Sequence, residues 1–424
     1  MVLLLYHFGT YFNLEETSVE IQVASSSKFL GIIIGSTVAS LLTKKIGRVI
    51  TINCSNFIFF ISFLIKNIWL NIPLFIICEV ISGIALGIII PIFLNIYGEY
   101  LPNKIRGLLL MVAWSFFGIG ELIASIIILV IMPELQKDKL QMYLLILSVF
   151  PLLQFISCLL FLSDSPKGLL LTKKIRESFS IEELERMNSI NLDEEQKEKS
   201  EELNKIKLTA ESYSIKDIII EMFGPQLKKT TILIIFIFIF FGYNAFGVYS
   251  ITSYFLDYLY EKEKDKAEEK VDTSTRDIII NQITFSVADF FSNIIGGFIG
   301  EIRKLGRKGG IMAFSVLSGI FIIIGLFKKI LYQISFPIVS GCTNIYVNLV
   351  MDYVVELYPT KIRDTSTSLL FLIYRISCFL CNYISLGFYE INKYIPFIIY
   401  AIFAVLSTLF TWALPYEMVG KSMK

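Results

Sequence analysis

Long apolar stretches recur along the whole chain of 424 residues. Each is close to the roughly 20 residues that an apolar helix needs to cross a bilayer. Backbone amides in lipid must be satisfied within the segment, and the stretches are too long and continuous for barrel strands. The sequence therefore predicts an all-α integral membrane protein. Eleven spans are expected at residues 19–43, 49–66, 70–97, 107–132, 140–162, 229–255, 279–301, 310–327, 330–355, 366–390 and 393–414.

Composition supports the bilayer as the solvent of this chain. Hydrophobic residues make up 55% of the sequence and charged residues only 18%, whereas soluble domains carry about a quarter charged residues. The net charge of +1 indicates no nucleic-acid partner. His7 is the single histidine, and all six cysteines lie in apolar runs, so neither a metal site nor a disulfide framework is predicted. No phosphate-binding loop or nucleophile elbow occurs, and neither an enzyme nor a cofactor is expected.

Before the eleven spans lies a stub, residues 1–12, about half a span long and counted here as the first, truncated span. Lysine and arginine in alternate short connections place those connections on the cytosolic side. We expect an N-terminal helical bundle at 1–162, holding spans one to six, and a C-terminal bundle at 229–414, holding spans seven to twelve. A cytosolic linker with short helices is expected at 163–228, and a cytosolic tail at 415–424.

The two halves repeat each other. GEYLPNKIRG matches VELYPTKIRD, with Glu99 and Glu356 separated by 356 − 99 = 257 positions. KKIGR matches RKLGRK, with Arg48 and Arg307 separated by 307 − 48 = 259 positions. Two unrelated motifs with nearly the same offset indicate a duplication. Both copies follow an even-numbered span, as parallel repeats about an axis along the membrane normal require.

These motifs resemble the major facilitator superfamily. The resemblance rests on G-x-x-x-G…K-x-x-G-R (Gly31 to Arg48), the two Glu–Pro–Arg motifs, SDSPKGLL after span six and LPYEMVGKS after span twelve. The likeness is to the sugar-porter, organic-ion and synaptic-vesicle-two-related branches. It implies two pseudo-symmetric six-helix bundles (6 + 6). The chain departs from the family pattern at Lys44, where an acid is usual, and at Glu79, where an arginine is usual.

The resemblance also implies an ion-pair gate on the cytosolic side. Its members would pair when that side closes and separate when it opens. The alternative is that these charges are topogenic anchors and helix caps. The gate candidates are Arg48, Glu99, Arg106, Arg307, Glu356 and Arg363.

Polar stripes on the spans indicate a shared cavity. Spans four and ten carry polar or small residues on equivalent faces, although close helix packing is the favoured explanation for Gly83 and Gly87. Arg375 is expected to hold an anionic group of the substrate or Asp289, or to belong to a purely structural buried pair. The substrate-cavity candidates are Tyr243, Asn244, Gln282, Asp289, Asn344, Asn348, Asp352, Arg375 and Asn382.

The predicted function is a secondary carrier that moves a small organic solute, an organic ion or a sugar, by alternating access. Glu79, Glu121 and Asp289 are the candidates for coupling to a proton, and another coupled ion is left open. A plasma-membrane or an intracellular vesicle location fits equally well, and the sequence sets no oligomeric state. The alternative is a non-transporting vesicle or membrane interaction protein that retains the carrier fold.

Overall fold

The computed structural model describes residues 19–68, 71–101, 106–132, 139–163, 215–267, 275–300, 302, 305–358 and 362–415. Within these ranges the secondary structure is helical, and eleven of the helices are long and apolar enough to cross a membrane. The predicted all-α fold with eleven full spans is therefore confirmed. The proposed short first span, residues 1–12, lies outside the described residues.

The N-terminal half contributes five long helices, which correspond to spans two to six. They are α1 (Val19–Ile46), α2 (Arg48–Ile68), α3 (Ile72–Tyr100), α4 (Arg106–Ile131) and α5 (Leu140–Phe161). The start of α3 illustrates local control: the Asn71 side chain accepts a hydrogen bond from the Leu74 amide at 3.1 Å. An asparagine cap of this kind satisfies one of the free amides of the first turn.

A short helix, α6 (Ile215–Met222), precedes the six long helices of the C-terminal half, which correspond to spans seven to twelve. They are α7 (Lys228–Ala267), α8 (Thr275–Gly300), α9 (Gly306–Gly325), α10 (Lys329–Leu357), α11 (Arg363–Ile391) and α12 (Ile395–Trp412).

One helix boundary differs markedly from the sequence prediction, and one segment of the linker packs on the C-terminal bundle. Helix α7 continues to Ala267, although the apolar stretch was expected to end at residue 255. The extension, residues 256–267, reads LDYLYEKEKDKA, and the closely spaced acids and bases of its second part support a helix outside the membrane. Short helices were expected in the linker, and one of them, α6, buries Ile218 and Met222 against the C-terminal bundle. Thr231 of α7 holds this helix end, because its hydroxyl donates to the Met222 carbonyl at 2.8 Å.

Helices α1 and α3 touch through glycines. A Cβ on Gly83 would lie 2.2 Å from the Lys28 carbonyl oxygen, and one on Gly31 would lie 2.2 Å from that of Val80. Gly87 faces the Ile32 carbonyl in the same way. Small residues spaced four apart let two membrane helices approach to backbone contact. Close packing therefore accounts for Gly83 and Gly87.

The helices form two groups that meet along two seams. Within each half, neighbouring helices pack on one another, for example α2 with α5 and the repeat-equivalent α9 with α12. Between the halves, α1 packs on α11 and α4 packs on α8. This arrangement fits the predicted 6 + 6 layout.

The repeat extends to backbone conformation. Gly47 and Gly306, at equivalent places in the two halves, both have positive φ, at 92° and 66°. Each makes the tight turn between two consecutive spans, where a side chain would be strained. The two matching motifs, KKIGR and RKLGR, thus encode the same turn twice.

Candidate functional site

A polar cluster lies where α7, α8 and α10 meet, and Asp289 of α8 is its centre. The Tyr249 hydroxyl donates to Asp289 Oδ2 at 2.7 Å. The Ser340 hydroxyl donates to Oδ1, and the Asn344 side chain lies within hydrogen-bonding reach of the same carboxyl. Asp289 is only 3% exposed. We call Tyr249, Asp289, Ser340 and Asn344 the Asp289 cluster.

The cluster continues along α8 and α10 through two amides. Asn293 donates to the backbone carbonyl of Asp289 at 2.8 Å, and Asn348 donates to the Asn293 side-chain oxygen. Asp352 follows one turn later on α10 and is half-buried. Asp289, Asn344 and Asn348, three predicted cavity residues, are thus brought into one hydrogen-bonded array. Gln282, half-buried, lies two turns from Asp289 on the same side of α8.

The two α7 residues that the sequence favoured do not join this array. The Tyr243 ring packs on α12, with centroids 5.6 Å from Tyr400 and 5.0 Å from Phe403. Gly247 lies on the same side, because a Cβ there would meet the Tyr400 hydroxyl at 2.6 Å. Asn244 is buried, and its side-chain oxygen accepts no hydrogen bond. The rotation of α7 about its axis directs the Tyr243 side into its own bundle.

Tyr249, like Ser340, belongs to the Asp289 cluster but was not among the predicted cavity residues. It lies in the same polar segment as Tyr243, six positions later, and therefore on a different side of the helix. Its neighbour one turn back, Phe246, packs edge-on against Phe29 of α1 at 4.6 Å. Hydropathy could not choose between two tyrosines in one segment. Only the packing of α7 against α8 and α12 distinguishes them.

Arg375 of α11 is apart from Asp289. Its guanidinium carbon lies 4.6 Å from the Phe371 ring centroid and 5.1 Å from that of Tyr374. Arg375 is 8% exposed, and its Nε donates no hydrogen bond. No ion pair between Arg375 and Asp289 occurs among the described residues, and the predicted roles of Arg375 stay predictions. Asn382, two turns further along the same helix, is buried as well.

Glu121 brings a second carboxyl towards the Asp289 cluster from the other bundle. A Cβ on Gly118, one turn earlier on α4, would meet the Phe290 amide nitrogen of α8 at 2.7 Å, so the two backbones touch here. The carboxyl of Glu121 lies close enough to Asp289 for the two to repel when both are charged. Glu121 Oε2 is buried and has no hydrogen-bond partner.

Glu79 is in a different situation. Its Oε1 accepts from the ammonium of Lys66 on α2 at 2.5 Å, and its Oε2 lies 3.8 Å from the Lys28 ammonium on α1. The sequence placed Glu79 among the embedded charges but missed both lysines. Of the three predicted proton-coupling carboxyls, Glu121 and Asp289 are the two with no ammonium or guanidinium partner in the described part of the chain.

The structure describes the side chains of three of the six gate candidates. Arg307 donates through Nη2 to Glu356 Oε1 at 2.9 Å and through Nη1 to the Gly300 carbonyl. One guanidinium thus joins the ends of α8, α9 and α10. Arg48 is half-buried at the start of α2 and has a partner. The side chains of three other candidates lie outside the described residues: Glu99, Arg106 and Arg363.

Two helical bundles, a buried polar cluster near their seam and charged turns repeated in both halves define a carrier of the major facilitator fold. The sequence profile of the sugar (and other) transporter family matches residues 4–238 and 229–416. The chain belongs to this family. It is a multi-pass integral membrane protein and a secondary carrier of small organic solutes, not an enzyme.

Individual relatives agree with this assignment. Organic cation/carnitine transporter 7 from Arabidopsis thaliana is 23% identical over 435 residues, which covers 94% of this chain and 84% of the relative. Sugar transport protein MST7 from Oryza sativa subsp. japonica is 33% identical over 106 residues, or 24% of this chain and 20% of the relative.

Solved structures show the same fold. The inward-open xylose transporter XylE from E. coli aligns with a TM-score of 0.71 and 17% identity over 99% of this chain and 95% of its own. The same proton:xylose symporter bound to 6-bromo-6-deoxy-D-glucose aligns with a TM-score of 0.69 and 18% identity, covering 99% of this chain and 94% of its own.

Proposed function

We propose that the carrier binds its solute at the Asp289 cluster and that the solute is an organic cation. The observation that supports this most directly is the buried carboxyl of Asp289, whose described partners are the neutral groups of Tyr249, Ser340 and Asn344. A charge at membrane depth needs a partner, water or a proton. A cationic solute supplies such a partner during each cycle.

The surroundings of Asp289 favour a cation over an anion. Glu121 adds a second negative group from the opposite bundle. The ring of Tyr249 lies 5.5 Å from that of Phe285, and aromatic faces attract organic cations. One relative is named an organic cation/carnitine transporter.

A sugar is the second candidate. The side-chain amides of Gln282, Asn344 and Asn348 can donate to and accept from hydroxyl groups without any charge on the solute. One relative is named a sugar transport protein, and the xylose symporter structure holds a glucose derivative. A neutral sugar would not require the negative charge of Asp289.

We also propose that a proton is coupled to solute movement through Glu121 and Asp289. These carboxyls belong to α4 and α8, which lie in different bundles. Rocking of the bundles would change their separation, and two carboxylates held close together favour uptake of a proton. Protonation would then depend on which side of the membrane the site faces.

The proposed access route follows the division of the chain. Residues 1–162 and 229–414 would move as two bundles, with the linker 163–228 and the tail 415–424 in the cytosol. The gate would open on the predicted cytosolic side, where Arg307 pairs with Glu356. The gate has four further predicted members, which are Arg48, Glu99, Arg106 and Arg363.

Uptake into proteoliposomes tests the solute class. The purified carrier is reconstituted and presented with radiolabelled tetraethylammonium, carnitine, xylose and benzoate. We expect saturable uptake of the cation tetraethylammonium, and we expect the Asp289→Asn variant to lose most of this uptake. Lys328→Gln, an exposed lysine between α9 and α10, is the matched control and should behave as the wild type. Uptake of xylose that survives Asp289→Asn would overturn the cation assignment in favour of the sugar.

A further inference from the structure

The N-terminal bundle holds a buried group of three charges that the Asp289 cluster does not involve. Lys66 is 1% exposed and donates to Glu79 Oε1 at 2.5 Å, while its ammonium also lies 4.5 Å from the Phe63 ring centroid. The Lys28 ammonium lies 3.8 Å from Glu79 Oε2, beyond hydrogen-bonding distance. We call Lys28, Lys66 and Glu79 the lysine–glutamate cluster.

The other half of the molecule shows that the fold does not need these charges. Lys66 corresponds to Gly325 (325 − 66 = 259), and Glu79 corresponds to Phe336 (336 − 79 = 257). Gly325 and Phe336 contact each other, because a Cβ on Gly325 would lie 2.6 Å from Phe336 Cε2. The same contact is thus apolar in one bundle and ionic in the other. Buried ion pairs seldom stabilise a fold more than apolar residues of similar volume, so stability alone does not explain the cluster.

The charges of the cluster do not balance. Two ammonium groups face one carboxylate, which leaves one positive charge at membrane depth when both lysines are protonated. A charged lysine within a membrane-spanning helix needs a partner or water. Glu79 Oε2 is buried and accepts no hydrogen bond, so Lys28 is not locked onto it. Lys28 is also the most exposed residue of the cluster, because its side chain is 20% exposed.

The cluster is close to the seam between the bundles. Phe29, the residue next to Lys28, packs on Phe246 of α7 with ring centroids 4.6 Å apart. A group bound at Lys28 would therefore lie beside the surface across which the bundles move.

We propose that the lysine–glutamate cluster is an anion-binding site in which the Lys28 ammonium holds one monovalent anionic group. Lys66 stays on Glu79 and limits the repulsion between that carboxylate and the incoming anion. The anionic group is a small inorganic ion such as chloride or the carboxylate of a solute, since both present one negative charge to an ammonium. The site belongs to α1, α2 and α3 and is separate from the Asp289 cluster of α7, α8 and α10.

Thermal unfolding of the full-length purified protein in detergent tests the site without any transport measurement. Chloride or acetate replaces sulfate at constant ionic strength, and the melting temperature is recorded against anion concentration. We expect a saturable rise for the wild type and none for Lys28→Gln, which leaves the Lys66–Glu79 pair intact. Lys328→Gln controls for the loss of a lysine charge elsewhere and should keep the rise of the wild type, whereas any change that Lys28→Gln shares with the wild type is a general salt effect.

A second variant should raise the apparent affinity for the anion instead of abolishing binding. Glu79→Gln removes the carboxylate that opposes the anion, and we expect half-saturation at about tenfold lower anion concentration. The double substitution Lys66→Gly with Glu79→Phe replaces the ion pair by the equivalent residues of the other bundle, Gly325 and Phe336. We expect a folded protein whose melting temperature depends on anion concentration differently from that of the wild type.

The anion dependence also identifies the source of the charge. A response to chloride as well as acetate assigns the site to a small inorganic anion, whereas a response confined to acetate and longer monocarboxylates assigns it to a solute carboxylate. The same anion-dependent rise of the melting temperature in Lys28→Gln as in the wild type, or no rise in the wild type, would overturn the proposal. Because no uptake is measured, failure here leaves the proposed cation transport untouched, and the reverse is also true.

Discussion

Arg307 on α9 donates to Glu356 on α10 at 2.9 Å, and the same guanidinium reaches the carbonyl of Gly300 at the end of α8. Arg307 is 7% exposed, so this contact is better shielded from water than an ordinary surface ion pair. The two residues come from the two duplicated motifs: Arg307 from RKLGR, the counterpart of KKIGR, and Glu356 from the second Glu–Pro–Arg motif. Their contact explains why both motifs occur on the same side of the membrane.

Loss of this ion pair should slow transport without abolishing solute binding. Glu356→Gln removes the charged acceptor of the Arg307 Nη2 hydrogen bond, and we expect the initial uptake rate in proteoliposomes to fall by about fivefold, corresponding to about 1 kcal/mol. The exchange Arg307→Glu with Glu356→Arg should restore part of the rate. A Glu356→Gln carrier with the wild-type rate would show that the pair is only an anchor.

The Tyr249 hydroxyl should matter for affinity. Tyr249→Phe removes the donor to Asp289 Oδ2 but keeps the ring, and hydrogen bonds to charged groups contribute about 1.5–3 kcal/mol. We expect the KM for the cation to rise by about tenfold, because the Asp289 carboxylate loses the hydrogen bond that orients it, with little change in the amount of folded protein. Tyr243→Phe is the matched control, because Tyr243 packs on α12 away from the cluster. Equal effects of the two variants would contradict the assignment of Tyr249 to the site.

Glu121 should separate coupling from binding. Glu121→Gln keeps the shape of the side chain but removes its ability to give up a proton. We expect uptake driven by a pH gradient to fall by about tenfold or more, while exchange of labelled for unlabelled solute at equal pH persists. Wild-type uptake that is unaffected by collapsing the pH gradient would remove proton coupling altogether.

The α1–α3 contact should be intolerant of side chains. In Gly83→Val the new Cβ would lie about 2.2 Å from the Lys28 carbonyl oxygen, a backbone atom that cannot swing aside. We expect little folded protein, measured as the monodisperse fraction on size-exclusion chromatography. Gly98→Ala on the same helix is the control, because its Cβ would meet nothing within 4 Å. A Gly83→Val protein as well folded as Gly98→Ala would refute the close-packing explanation.

The spans were predictable because their signal is local. Each crossing must satisfy its own backbone in lipid, so the length and polarity of a stretch are enough to locate it. The starts of α2 and α5, at Arg48 and Leu140, fall within one residue of the expected positions. The end of α7 was missed because a charged helix outside the membrane has no apolar signal.

The candidate site was predictable only in part. Asp289, Asn344 and Asn348 were found because polar residues on lipid-depth helices are expensive and form visible stripes. Tyr243 and Tyr249 look alike in sequence, and only the rotation of α7 against α8 and α12 separates them. Lys66 near the end of its span resembled a terminal anchor, although it is buried against Glu79.

The sequence by itself determined the number of full spans, the duplication and the residues able to carry charge inside the membrane. Hydropathy and repeat offsets are properties of the linear sequence, so they can be recognised without knowledge of any tertiary contact. The tertiary structure decided that Glu79 lies on two lysines, that Glu121 approaches Asp289 across the bundles and that Arg375 does not. Such pairings depend on how helices far apart in sequence turn and pack together, and the stripe on one helix does not specify which stripe it will meet.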